Sequence, residues 1–247
     1  MGHQTATPLS EPFAALGVEA MRTSLRLDAA QLALCERYAE ELIACNTSVN
    51  LTAITEPRDI AHKHFLDSFT ALGVRRWGAR ERLVDVGSGA GFPGLALRIA
   101  RPGLQVTLVE SVGKKTRFLE ALTQLLGLGD VEIRNERAEA FGRGHRAGYD
   151  VATARAVGSL ALCVEYLFPL LRVGGDAIVW KGRVDDELPA ALGALSVIGG
   201  ELVAVVPTAA IGVGDLLPGR HLVVMRKTRT TPERYPRGAA EARRRPW

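Results

Sequence analysis

A strand that runs straight into closely spaced glycines constrains this 247-residue chain more than any other feature. Leu83-Val84-Asp85-Val86 is an apolar run of strand length, and Gly87-Ser88-Gly89-Ala90-Gly91-Phe92-Pro93-Gly94 follows it without a break. Gly87, Gly89 and Gly91 allow main-chain conformations closed to residues with a Cβ, and let a ligand approach the backbone closely. Pro93 suits the first turn of a helix. The segment therefore predicts a buried strand, a turn that cradles a nucleoside cofactor through Gly87, Ser88, Gly89 and Gly91, and then a helix.

The glycines alone do not choose the cofactor. Gly89, Gly91 and Gly94 also satisfy the dinucleotide spacing G-x-G-x-x-G, with Glu110 placed 21 positions after Gly89. The charge at Asp85 separates the two ligands, because a carboxylate at the strand's end repels a pyrophosphate and attracts the cationic amino acid and sulfonium end of S-adenosylmethionine. This favours a methyl donor. Glu110 closes the apolar run Val106-Thr107-Leu108-Val109, where a carboxylate accepts hydrogen bonds from ribose hydroxyls.

An apolar content of 47% over this length supports one domain with an extension, or at most two. No uncharged run approaches the roughly 18 residues of a membrane span, and Met1 to Glu11 lacks a basic start followed by an apolar core. A cytosolic location is expected, without membrane association. Cys35, Cys45 and Cys163 are odd in number and widely spaced, which suggests reduced thiols and no zinc site. The net charge of +4 is uneven: Arg226 to Trp247 holds eight Arg or Lys residues against Glu233 and Glu241. That basic end, interleaved with prolines, reads as a polyanion-binding tail or as a disordered, solubilising one.

Helical spacing of Leu32, Cys35, Tyr38, Ala39, Leu42 and Ile43 predicts a helix over 28–44 capped by Asp28. A second helix is expected over 57–72, after the turn-rich Asn46 to Thr52. Beyond Arg82 apolar runs alternate with helical stretches, which predicts strands at 83–86, 105–110, 131–134, 150–153, 175–180, 201–206 and 221–226. Helices are expected near 92–100, 114–126, 159–171 and 184–196. With no helix between the last two strands, an antiparallel end hairpin follows. The expected fold class is α/β: a Rossmann-like, class I methyltransferase-like, mostly parallel sheet with an N-terminal helical extension. The expected division is 1–80 helical extension, 81–227 cofactor-binding domain and 228–247 basic tail.

Asn50-Leu51-Thr52, Lys63-His64-Phe65-Leu66-Asp67-Ser68, Asp85 to Gly94, Lys114-Lys115, Ala154-Arg155-Ala156 and Lys181-Gly182 occur in this order along the chain. Together they resemble the RsmG (GidB) family of bacterial small-subunit ribosomal RNA guanine-N7 methyltransferases, over about residues 28 to 227. The resemblance implies an S-adenosylmethionine site at Gly87 and Phe92, at Glu110, Ser111 and Val112, at Ala138 and Glu139, and at Arg155. It implies small-subunit ribosomal RNA, free or in the assembled subunit, as the partner. Glu139, after the strand-like Val131 to Arg134, is placed to meet the exocyclic amine of adenine.

Arg155 ends a short strand at the carboxyl edge of the sheet, where open α/β sheets hold ligands. Its fork suits an anion or the O6/N7 edge of guanine, the plain alternative being a salt bridge to Glu139 or Asp85. Lys114 and Lys115 open a helix, a mildly unfavourable place for cations that suits a phosphate-facing role. His62 and His64 are two apart and point to different helix faces, which argues against a shared metal site, whereas His64 and Asp67 share one face. With the resemblance, His64 and Asp67, with Asn50 nearby, take a role in shaping the guanine pocket, His64 and Arg155 become the candidate catalytic residues, and Asn50, Lys114, Lys115, Lys181, Arg220 and His221 the candidate RNA contacts. Guanine N7 carries a free lone pair, so alignment and desolvation matter more than a base. Two other readings stay open here: a dinucleotide-dependent oxidoreductase, and a non-catalytic ribosomal RNA-binding assembly factor with this fold.

Overall fold

The computed structural model describes residues 8–247; the part of the N-terminal stretch at 1–7 lies outside them. Seven strands form one sheet in the order β3-β2-β1-β4-β5-β7-β6. They are β1 (Glu81–Val86), β2 (Leu104–Val109), β3 (Val131–Arg134), β4 (Tyr149–Arg155), β5 (Leu171–Lys181), β6 (Gly200–Pro207) and β7 (His221–Lys227). The first five pair in parallel. β7 inserts antiparallel between β5 and β6, so the expected end hairpin and the class I methyltransferase-like sheet are both present.

Alternation along the strands sorts two hydrophobic layers. Leu83, Val106, Leu108, Val151, Ile178 and Trp180 face one core, while Val84, Val86, Ala152, Ala154, Val179 and Val223 face the other. The first core is covered by α1 (Glu11–Ala20), α2 (Ala29–Val49), a helical stretch through α3 (Pro57–Ile60) and α4 (Asp67–Phe69), α5 (Gly94–Ala100) and α6 (Gly113–Leu125). The second is covered by α7 (Ala138–Gly144), α8 (Leu160–Leu167) and α9 (Leu188–Ile198). Phe13, Leu16, Tyr38 and Phe65 share the first core with Leu83 and Val106, so the helical extension and the sheet are packed as one body.

α2 starts at a capping box, with the Asp28 carboxylate accepting from Gln31 N and the Gln31 side chain accepting from Asp28 N. It ends at Asn50, whose left-handed φ of 56° stops the helix. The expected 57–72 helix is not regular. Between α3 and α4, Ala61–Leu66 takes a π-helical path, and Thr70–Gly73 closes as a 3-10 turn. Such wide turns cluster at functional sites, and this one carries His64.

The basic end is not a free tail. Residues 228–247 fold back onto α7 and α8 and include the short α10 (Ala239–Arg244). Glu165 of α8, fully buried, receives Arg237 and the Trp247 indole N–H at 2.8 Å. Arg146 donates to the carbonyls of Tyr235 at 2.7 Å and Thr231 at 2.6 Å. This corrects the expectation of a disordered, solubilising end, while Arg234, Arg243, Arg244 and Arg245 stay exposed. Its anchor, an acid inside an otherwise apolar helix, offsets the basic run.

Candidate cofactor and guanine site

The glycine loop leaves β1 at the carboxyl edge of the sheet, between β2 and β4, the crevice where such sheets bind ligands. The loop is held from below. Gly87 N donates to Val109 O at 2.8 Å and Ser88 Oγ donates to Asp85 O at 2.8 Å. Gly91, at φ 100°, has no room for a side chain because Tyr38, Leu95 and Leu119 close on it. Gly89 is different: at φ 58° it faces open space, and a Cβ placed there would meet only Gly87 O, 3.9 Å away. Its backbone, like that of exposed Gly87, is a part of the loop that a ligand can reach.

Glu110 sits beside it. One carboxylate oxygen accepts from Gly89 N at 2.9 Å and the other from Val112 N at 2.8 Å. Each oxygen keeps a second acceptor site, so the group can still receive two hydroxyls. A cavity of about 230 Å³ opens next to it, lined by Glu110, Ser111, Ala138 and Glu139, with Gly87, Val157, Tyr166 and Ala239. Gly87, Glu110, Ser111, Ala138 and Glu139 are thus brought together around one space. Val112, exposed, lies just outside it.

Asp85 does not present its carboxylate at the open end of the strand, as its place in the sequence suggests. It is fully buried, accepting from Thr153 Oγ1 at 2.8 Å and from Gly94 N at 3.1 Å. Strand alternation explains the correction: Asp85 shares its face with Leu83, beneath α5, and does not point out of the strand's end. Burial pushes its carboxyl up to about 6, against the hydrogen bonds from Thr153 and Gly94 and the Arg155 charge. Ser88 is likewise turned inward. Phe92 is sandwiched, with the Tyr38 ring 4.7 Å away on one side and His64 4.6 Å away on the other, so its side chain serves the loop's packing.

The same alternation directs Arg155. Val151, Thr153 and Arg155 face the N-terminal helices, so the guanidinium meets neither Glu139 nor Asp85. Nη1 donates to Asp67 Oδ2 at 3.0 Å and Lys63 O at 3.1 Å, and Nη2 donates to His64 Nδ1 at 3.0 Å. An arginine only donates, so His64 Nδ1 is the bare nitrogen and Nε2–H is directed at Thr52 Oγ1, 2.9 Å away. Burial, and next the Arg155 charge, push the imidazole down to about 3. His64 is therefore a neutral, oriented ring at neutral pH. His64 and Asp67 do share one face, but Arg155 bridges them.

Asp67 is fully buried between Arg155 and Arg220, whose Nε lies 3.2 Å from Oδ1. Burial raises its carboxyl while the two guanidinium groups lower it, the balance being upward. Arg220 is thereby committed to Asp67. Lys181 is tied to Glu187 at 2.8 Å and to Gly158 O at 2.6 Å, and His221 Nδ1 faces Gly182 O at 2.7 Å. Each of these three expected RNA contacts thus has a partner within the fold and is half-buried. Lys114, exposed, and Lys115, half-buried, form no ion pair among the described residues. Asn50 is exposed at its turn, two residues before Thr52.

Tyr38, Thr52, Asp67, Thr153, Tyr166 and Ala239 also touch these residues or line the same cavity, and spacing along the chain singles out only Asp67 among them, on the face of His64. Asp67 and Thr153 carry a signal, being polar residues in apolar runs; Tyr166 and Ala239 carry none. No helix among the described residues is long and apolar enough to cross a membrane.

The fold resembles solved structures of low sequence identity. The [4+2]-cyclase SpnF matches with a TM-score of 0.53 at 19% identity, over 82% of this chain and 97% of that one. The YcgJ protein of Bacillus subtilis matches with a TM-score of 0.51 at 13% identity, over 67% of this chain and all of that one. These speak for the fold alone. Sequence relatives are more specific. A ribosomal RNA small subunit methyltransferase G of Roseiflexus castenholzii is 48% identical over 90% of this chain and 94% of its own length. One of Ligilactobacillus salivarius is 43% identical over 87% and 90%. The family model GidB, rRNA small subunit methyltransferase G, matches residues 31–210. With the glycine loop, Glu110 and the Arg155–His64 pair in place, the chain belongs to the GidB family of ribosomal RNA small subunit methyltransferases.

Proposed function

We propose that this protein binds S-adenosylmethionine in the cavity beside Glu110 and methylates N7 of a guanine in small-subunit ribosomal RNA. The observation that carries the reading is the open main chain at Gly89, hydrogen-bonded to Glu110 and next to a cavity that also holds Ala138 and Glu139. A dinucleotide reading loses ground on the same geometry, because Gly91, the position whose backbone has to approach a pyrophosphate, is closed in by Tyr38, Leu95 and Leu119.

When bound, S-adenosylmethionine supplies an electrophilic methyl group on a positive sulfur. Glu110 accepts from the ribose hydroxyls with the lone pairs that Gly89 and Val112 leave free. Glu139, at the start of α7, accepts from the adenine amine, with the Ala138 backbone beside it. Asp85 acts from below: its buried carboxylate fixes Gly94 and Thr153 and shapes the turn, and its charge would favour a cationic ligand bound near the loop.

Arg155 and His64 stand on the opposite side of Phe92 from Tyr38, where they form a preorganised wall for the guanine. Neutral His64 takes no proton from N7, which needs none removed. Its role and that of Arg155 are orientation, with the guanidinium available to guanine O6 or to a phosphate and kept off N7, where positive charge develops. Lys114 and Lys115 face the RNA phosphates. A guanine within ribosomal RNA must leave its stack to reach this pocket, so an assembled or loop-presenting small subunit is the expected substrate, free guanosine a poor one, and the cytoplasm the expected location.

Calorimetric titration with S-adenosylmethionine tests the cofactor half. The wild type binds, and Glu110→Ala weakens binding by about tenfold or more, a loss of about 1.4 kcal/mol. Unchanged affinity in Glu110→Ala overturns the assignment.

A further inference from the structure

The cavity at Glu110 and Glu139 has a wall that neither the glycine loop nor the family-like motifs supply. Ala239 of α10 and Tyr166 of α8 line it. A second cavity of about 520 Å³ lies under α10, lined in part by Arg137, Tyr166, Ala239, Arg243 and Trp247. Arg137, Tyr166 and Ala239 border both spaces, so the pocket beside Glu139 shares a wall with the space beneath the C-terminal segment.

That segment ties together the two helices that flank the pocket. On the α7 side, which carries Ala138 and Glu139, Arg143 donates to Pro236 O at 3.3 Å. On the α8 side, which carries Tyr166, Arg237 donates to both Glu165 oxygens and Trp247 Nε1 donates to Glu165 at 2.8 Å. The Arg237 guanidinium also lies over the Trp247 ring, 4.9 Å from its centroid. Arg237 and its surroundings hold the Glu165 carboxyl below its ordinary range despite burial, so the latch is an ionised pair with an indole closing it.

We propose that residues 229–247 form a latched wall of the cofactor pocket, in which Ala239 and Tyr166 pack against the adenine end of the methyl donor and the Glu165–Arg237–Trp247 contact sets how readily that donor leaves. The proposal rests on the reading of the Glu110 cavity as the nucleoside site. Adenine is flat and largely apolar, and it loses water most completely where an aromatic ring and a methyl group close on it. The Ala239 methyl and the Tyr166 ring provide those surfaces, leaving Glu139 for the amine. Glu165 touches no part of the pocket and acts as a positioning residue through Tyr166, its neighbour in the helix, and through Arg237.

The test uses the full-length protein and S-adenosylmethionine, with S-adenosylhomocysteine as a second probe. Ala239→Phe fills the wall from a half-buried position on a short peripheral helix and is expected to weaken both ligands by about tenfold or more. Trp247→Ala opens the latch without entering the pocket. It is expected to raise the donor's dissociation rate and KM several-fold, while affinity for small subunits stays at the wild-type value. Thermal unfolding of each variant identifies the folded samples, and Trp247→Ala carries the test should Ala239→Phe fail to fold. Wild-type-like donor affinity in folded Ala239→Phe, or an unchanged dissociation rate in Trp247→Ala, overturns the proposal alone. A wild type that binds neither probe overturns it together with the cofactor reading beneath it.

Discussion

His64 and Phe92 lie face to face, their ring centroids 4.6 Å apart and their planes 11° from parallel. Phe92 belongs to the glycine loop and His64 to the π-helical turn of the N-terminal extension. Tyr38 of α2 stacks on the far side of Phe92 at 4.7 Å, and its hydroxyl donates to Ala90 O in the same loop at 2.5 Å. The cofactor loop and the guanine wall are therefore one packed unit, and motion in either is felt by the other.

Removing the middle ring tests that unit. Phe92→Ala is expected to lower stability by about 3–5 kcal/mol through the cavity it leaves, and Phe92→Leu by about 1–2 kcal/mol, mostly lost stacking. Urea unfolding measures both. Folded Phe92→Leu is also expected to lose turnover, because His64 and Gly89 are then less firmly placed.

Arg155 contacts three groups with one planar fork, and a lysine cannot reproduce that geometry. Arg155→Lys is expected to lower kcat strongly with donor affinity little changed. Arg155→Ala leaves the buried Asp67 with Arg220 alone and is expected to cost about 3 kcal/mol. Single-turnover kinetics and equilibrium unfolding separate the two effects.

Two buried groups give opposite pH dependences. Asp85, raised to about 6, holds a proton that the unfolded chain has released, so its contribution is full at acid pH and lost as pH rises from the ordinary carboxylate range to about 6. His64, lowered to about 3, refuses a proton that the unfolded chain accepts below its ordinary value of 6.5, so stability is lost as pH falls from there toward 3. Between about pH 4 and 6 the two slopes oppose each other. Relative to the wild type, Asp85→Asn is expected to make stability rise with pH more steeply, and His64→Gln less steeply, each by about 1.4 kcal/mol per pH unit. Unfolding free energies measured across this range check the signs.

Lys114→Ala is expected to weaken binding to the small subunit and to reduce the slope of log affinity against log salt by about one. Donor affinity stays unchanged, since Lys114 lies outside the Glu110 cavity. Filter binding over a salt series measures the slope.

The sheet was readable because its central strands alternate between two buried layers, and because helical patterns separate most of the first six strands; α7, between β3 and β4, was too short to show. The cofactor edge was readable because Gly89 and Glu110 sit at chain positions that the strand ends bring together. Side-chain direction was harder. Asp85 and Arg155 were placed at the right edge, but only the register of β1 and β4 turns them toward α5 and α4. The π-helical turn at His64 left no mark in the 57–72 periodicity. The C-terminal segment misled for a physical reason: an arginine run reads as solvated unless its buried partner is known, and Glu165 lies far away in sequence, in a helix that otherwise reads as plain core. The partners of Lys181 and Arg220, Glu187 and Asp67, were hidden in the same way, being supplied by the fold.

Transfer of a labelled methyl group from S-adenosylmethionine to small subunits purified from cells lacking this protein, followed by mapping of the modified nucleotide, tests the function most directly. The expected result is label at N7 of a single guanine, absent with Glu110→Ala and much slower with Arg155→Lys. Label on another base or atom, no transfer to any small-subunit RNA, or equally efficient methylation of free guanosine would contradict it.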